Sequence, residues 1–93
     1  PFVYTEEDRL VKGKFITSKN QKVNLQEKIR YLINPGSVGQ PRDRNPDASY
    51  AVFDSDEKKV VFHRVLYDIK AAQEKITSVD LPRSLADRLE IGI

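Results

Sequence analysis

The sequence predicts an α/β chain in which strands come first, as an antiparallel hairpin or meander, and two short helices come last. Three observations predict it. Apolar runs of five to nine residues, rich in β-branched and aromatic side chains, recur up to Tyr67. Beyond Tyr67 the apolar spacing lengthens from two residues to three and four. Within the strand region, residues 34–47 hold three of the five prolines and two of the four glycines, a density that excludes a helix or a central strand.

The first stretch, 1–33, reads as strands around a basic, variable hairpin. Phe2-Val3-Tyr4 is a short β-prone run halted by Thr5-Glu6-Glu7-Asp8. Leu10-Val11 and Lys14–Thr17 resume extended structure, and Val23 and Leu25 mark a weaker strand. Ile29–Ile33 is a clearer five-residue strand that runs into Asn34-Pro35-Gly36. Residues 34–47, NPGSVGQPRDRNPD, form a long structured loop.

Residues 48–67 are predicted to form a hairpin. Ala48–Asp54 is apolar on both faces, Ser55-Asp56-Glu57-Lys58 is the turn, and Lys59–Tyr67 is the return strand. Tyr50, Val52, Phe53, Val61 and Val65 are expected to be its most buried side chains. Residues 68–93 hold the two helices. In the first, Ile69, Ala72, Ile76 and Val79 fall at helical spacing behind Asp68 as N-cap. In the second, Pro82 occupies the first turn, Leu81, Leu85 and Leu89 line one stripe, and Gly92 stops the helix.

Composition narrows the function classes. Hydrophobic residues make up 39% and charged residues 32%, as in an ordinary folded domain rather than a disordered chain. No apolar run reaches the roughly 18–20 residues of a membrane span, and no leader pattern is visible, so no membrane partner is expected. The absence of cysteine removes disulfides and thiolate chemistry and fits a reducing compartment, so a cytoplasmic location is expected. The start at Pro1 without a Met reads as an excised or processed segment. The net charge of +2 is unevenly spread, with six bases against Glu27 between Lys12 and Arg30. That stretch lacks interleaved aromatics beyond Phe15, so a solvated hairpin is preferred to a nucleic-acid footprint. Nothing in the sequence argues against a homo-oligomer.

Chemistry-bearing residues are sparse. His63 is the sole histidine, sits inside a strand, and has no cysteine or histidine partners. Gly36-Ser37-Val38-Gly39 lacks the spacing of a nucleophile elbow, and Asp54, Asp56 and Glu57 crowd a turn where solvated acids are the ordinary reading. The loop is more informative. Glycines flanking a hydroxyl residue can turn backbone N–H groups toward an anion, and Arg42 offers a fork-shaped donor for phosphate. It matches neither a P-loop nor a dinucleotide fingerprint. A structural turn and a ligand-facing loop both remain open on pattern alone.

Taken in order, LINPGSVGQPRD at 32–43, ASYAVFD, VVFHRVLYDIKAAQEKI and LPRSLADRL resemble the C-terminal part of the calcineurin-like metallophosphoesterases, in their small bacterial and archaeal branch. Pro1-Phe2-Val3-Tyr4 is similar to the strand that follows the last metal-binding motif of that branch. Residues 5–30 fit only as a variable hairpin. The resemblance implies one C-terminal segment of a four-layer α/β/β/α sandwich that hydrolyses phosphomonoesters or phosphodiesters. It also implies two divalent ions (manganese, iron or zinc) and a metal-bound hydroxide as the attacking group. The family's metal motifs are absent here, so the segment carries no catalytic residue and no metal ligand, and alone it is expected to bind no cofactor and to be inactive. Its partners are expected to be the rest of the same domain and a phosphate ester. Asn34, Gly36, Ser37 and Arg42 are the residues expected near substrate. A small non-catalytic α+β interaction or regulatory module is the alternative.

Overall fold

Alternation of side chains along extended backbone organises the first two-thirds of the chain. A computed structural model describes all 93 residues. It contains strands β1 (Phe2–Glu7), β2 (Leu10–Phe15), β3 (Gln21–Asn24), β4 (Arg30–Asn34), β5 (Ala48–Asp54) and β6 (Lys59–Val65), then helices α1 (Ile69–Ser78) and α2 (Arg83–Ile91). The strands form two three-stranded sheets, ordered β2-β1-β4 and β3-β6-β5. Strands β2 and β4 both run antiparallel to β1, and β3 runs antiparallel to β6. The four-residue connection between β5 and β6 permits only an antiparallel pair.

Residue contacts divide the chain into two units, one of residues 1–36 with 49–64, the other of residues 37–48 with 65–93. In the first, β1 and β2 meet in a two-residue turn whose Asp8 and Arg9 have φ of 50° and 67°. Both residues take positive φ, as the turn that suits strand twist requires. The strand therefore continues to Glu7 rather than stopping after Tyr4, because the acidic residues alternate along its faces. Register places Val3 opposite Lys14 and Ile33, and Tyr4 opposite Gly13 and Leu32. Val3, Ile16, Val60 and Phe62 are buried, with Val23, Leu25, Tyr31, Ile33 and Ala51 packed on them.

The expected burial in the hairpin is out of phase for every residue but Phe53, which shares the face of Ala51 and Val60 and is exposed because it lines an open cleft there. Tyr50, Val52, Phe53 and Val65 are exposed, and Val61 is half-buried. The core face of β6 is the other one, led by Phe62 at 2% exposure and Val60 at 4%. Both faces of this hairpin are apolar in sequence, so pattern alone could not choose between them, and a one-residue phase change exchanges every side chain. Strand β6 also ends at Val65, two residues before the expected Tyr67.

In the second unit, the Asp68 carboxylate accepts from Ala71 N at 3.0 Å and caps α1. Helix α1 buries no residue, whereas α2 buries Ala86 and Leu89. Gln73 Nε2 donates to Ala86 O at 2.9 Å and ties the helices together. Pro82 stands one residue before α2 as its N-cap, and Leu81 lies outside the helix, 48% exposed. The stripe expected from Leu81 therefore begins at Leu85. Gly92 ends α2 in the left-handed region, its N–H returning to Arg88 O. A Cβ there would lie 2.7 Å from Asn45 N, and Gly92 O accepts from Arg44 N at 2.8 Å. No helix is long and apolar enough to cross a membrane.

Candidate functional site

Asn34 closes β4 opposite Phe2, and its Oδ1 accepts from Gly36 N at 2.9 Å. This short side-chain turn is what asparagine before Pro-Gly favours. Gly36 follows at φ +88°, and a Cβ there would come within 2.5 Å of Ser49 Oγ and 2.7 Å of Ser49 Cβ. Ser49 is 2% exposed and donates to Pro35 O at 2.6 Å. Both backbone conformation and space therefore demand glycine at 36.

Ser37, Arg42 and the residues between them belong to the second unit. Ser37 Oγ accepts from Gln40 N at 2.9 Å and closes its own turn. Pro41 is buried and holds the chain down, while Arg42 beside it is exposed. Arg42 makes no hydrogen bond or ion pair, so the pairing with Asp43 that would make it a structural pin is absent. Gly39 has open space around a would-be Cβ, so no local packing requires it. The four candidates thus separate into Asn34 and Gly36, joined by a hydrogen bond in one unit, and Ser37 and Arg42, unconnected in the other. Chemically, they offer an asparagine amide, a serine hydroxyl and a free guanidinium, which are donors suited to an anion.

Other chemistry-bearing groups are engaged structurally. His63 Nδ1 lies 3.0 Å from Asn20 Oδ1, and the ring stacks on Tyr50 with centroids 4.9 Å apart. Asp54 accepts from the backbone N–H groups of Asp56 and Glu57, each at 3.0 Å. The bond from Glu57 is the main reason its carboxyl titrates below the ordinary value, with Asp56 and the charge of Lys59 adding to it. Sequence reading missed Ser49 altogether. Its only signal was a hydroxyl residue at the head of an otherwise apolar strand.

No family model matches the chain. It is 48% identical over 92 residues to an uncharacterized protein of Methanocaldococcus jannaschii, covering 99% of this chain and 35% of that protein. A crystal structure of a metallophosphoesterase from Sphaerobacter thermophilus superposes with a TM-score of 0.78 at 45% identity, covering 82% of this chain and 31% of that one. The chain carries the fold of the C-terminal part of a metallophosphoesterase. Two antiparallel sheets followed by two helices are what that part of the fold presents.

The chain spans about a third of the length of each of these two proteins. Divalent metals are implied for an intact metallophosphoesterase, and the residues of this chain do not fit them. No three histidine, aspartate or glutamate side chains converge, and the lone imidazole is already held by Asn20 and Tyr50. A metallophosphoesterase-like segment of this kind has no donor set to offer an ion pair.

Proposed function

We propose that the chain is one segment of a metal-dependent phosphoesterase that hydrolyses phosphomonoesters or phosphodiesters, and that its loop from Asn34 to Arg42 borders the phosphate site. The observation that carries the enzyme reading is the 45% identity and TM-score of 0.78 to a solved metallophosphoesterase. The free, exposed guanidinium of Arg42 supports the placement of the loop, because a fork-shaped donor without an internal partner is available to a phosphate oxygen. The two divalent ions would be held by residues outside this chain. Here the protein's own contribution is to bind and orient the anion, not to activate water. The cytoplasmic location expected from the absence of cysteine is part of the same proposal.

The test uses the longer polypeptide that carries this segment, supplied with manganese and assayed on p-nitrophenyl phosphate and bis-p-nitrophenyl phosphate. Arg42→Ala should lower kcat/KM by about 1–3 kcal/mol in barrier terms, roughly 5- to 150-fold, with Tm unchanged. Arg42→Lys should recover only part of that loss, since lysine keeps the charge and loses the planar fork. Intact turnover with a lowered Tm would make Arg42 structural. Lack of turnover on either ester across manganese, iron and zinc would return the chain to the reading of a non-catalytic module.

A further inference from the structure

Alternation along β1 puts Val3 in the core and Phe2, Tyr4 and Glu6 on the opposite face of the β2-β1-β4 sheet. Register completes that face. Phe15, Gly13 and Val11 of β2 lie opposite these three on one side, and Asn34, Leu32 and Arg30 of β4 on the other. The aromatic residues of the face meet one another. The Phe2 and Tyr4 rings lie 4.4 Å apart with their planes tilted by 37°. Phe15 stands edge-on to Phe2, with centroids 4.5 Å apart and planes at 85°. Phe2 and Phe15 thus make the floor and the wall of a corner. Gly13 makes room for the floor, since a Cβ there would lie 2.7 Å from Phe2 Cε1.

The corner is open to a ligand. Phe15 is 73% exposed and Tyr4 44%. Beyond Tyr4 the same face holds a cleft of about 410 Å³, whose lining includes Tyr4, Val11 and Leu32 together with Glu6 and Arg30, a size typical of small-ligand sites. Arg30 Nη1 lies 3.8 Å from Glu6 Oε2, so the cleft offers a donor and an acceptor with no unbalanced charge. At the other end of the face, Phe15, Phe2 and Asn34 form one row across the three strands. Neighbouring strands are about 4.8 Å apart, so the wall of the corner stands roughly 10 Å from Asn34, where the loop of the proposed phosphate site begins. A single nucleotide covers that span.

We infer that Phe2, Tyr4 and Phe15 bind the flat ring of the ester's organic group, and that the substrate class is a nucleotide. This rests on the reading that the loop from Asn34 borders the phosphate site. A base entering the corner stacks on one ring and meets another edge-on, the two arrangements that aromatic quadrupoles favour. Stacking holds any base by its face, and the Glu6–Arg30 pair is the nearest hydrogen-bonding group on this face for its polar edge. The competing occupant of an exposed apolar face is a second copy of the protein.

The test compares AMP with ribose 5-phosphate, and the methyl diester of each, on the longer polypeptide supplied with manganese. The two members of each pair break the same bond and differ only in the base. The wild-type protein should prefer the member that carries the base, and equal kcat/KM within both pairs overturns the inference. Phe15→Ala should reduce the preference by about 5- to 150-fold, the range of one base–aromatic stack. Phe15→Leu, which keeps the apolar bulk and loses the ring, should reduce it as well, and Phe15→Tyr should retain it. A preference unchanged in the alanine and leucine variants overturns the inference. Sedimentation and Tm identify what then covers the face: a dimer lost on substitution means a second copy, and a Tm lowered by several degrees means the rest of the same polypeptide. Equilibrium dialysis with AMP gives a readout that needs no turnover. AMP binding that Phe15→Ala weakens, in protein that hydrolyses no ester, supports the aromatic site and overturns the enzyme reading alone.

Discussion

At Gly36 the backbone sits at φ +88° with Ser49 close beside it, so a single added methyl group meets both conformational strain and a steric obstacle. Gly36→Ala should cost about 2–4 kcal/mol, combining left-handed strain with overpacking against a buried side chain. A denaturant titration would show the midpoint moving with the slope unchanged. Arg9 is the opposite case. It holds φ 67° in an exposed two-residue turn without being glycine, so Arg9→Gly should stabilise the protein by about 0.5–1 kcal/mol, strain relief outweighing the entropic cost. A Tm that falls would show that the Arg9 side chain contributes more than its backbone strain removes. Asn34-Pro35-Gly36 was readable from the sequence as a turn, because asparagine, proline and glycine act locally. Ser49 was not readable, because its role depends on a carbonyl fourteen residues away.

Elements were legible in proportion to how local their causes are. Asp68 announces α1 because an N-cap acts within three residues, and the observed bond to Ala71 N is that interaction. Asp68→Ala should cost about 1 kcal/mol, seen as a lower Tm of the helical signal. Strand β5 was readable as a strand but not as a face, since nothing within ASYAVFD says which side meets the other sheet. The choice of Val60 and Phe62 over Val61 and Val65 is made by packing across the sandwich. The β5–β6 turn carries a pH dependence of definite sign. Asp54 titrates below its ordinary value in the folded state, chiefly through the N–H of Glu57. Its contribution is therefore fully present above the unfolded carboxyl value, roughly pH 4, and is lost as pH falls through the lower folded value. Asp54→Asn should flatten the acid limb of a stability profile, and an unaltered limb would show the turn bonds to be immaterial.

At the scale of the whole molecule, the proposed phosphate site would be only partly contained in this chain. Asn34 and Arg42 stood out in the sequence because the loop is dense in proline and glycine, and the structure leaves Arg42 without a partner. The ligands for the implied metals were not legible because this chain brings no donor set together. The 93-residue chain by itself should therefore release no p-nitrophenol from either ester under conditions where the longer polypeptide turns over. Measurable hydrolysis by the purified segment, lost in a chelator, would place a metal centre within it after all.

The stack of Tyr50 on His63 has an optical consequence. With no tryptophan in the sequence, near-ultraviolet emission comes only from the four tyrosines, and one of them lies 4.9 Å from an imidazole that belongs to the adjoining strand. A ring held this close to imidazole is quenched relative to a solvated phenol. Separation of β5 from β6 should therefore brighten the protein, and substituting His63→Ala should brighten it without unfolding. The hairpin thus carries its own fluorescent reporter, and its opening can be followed without attaching a dye.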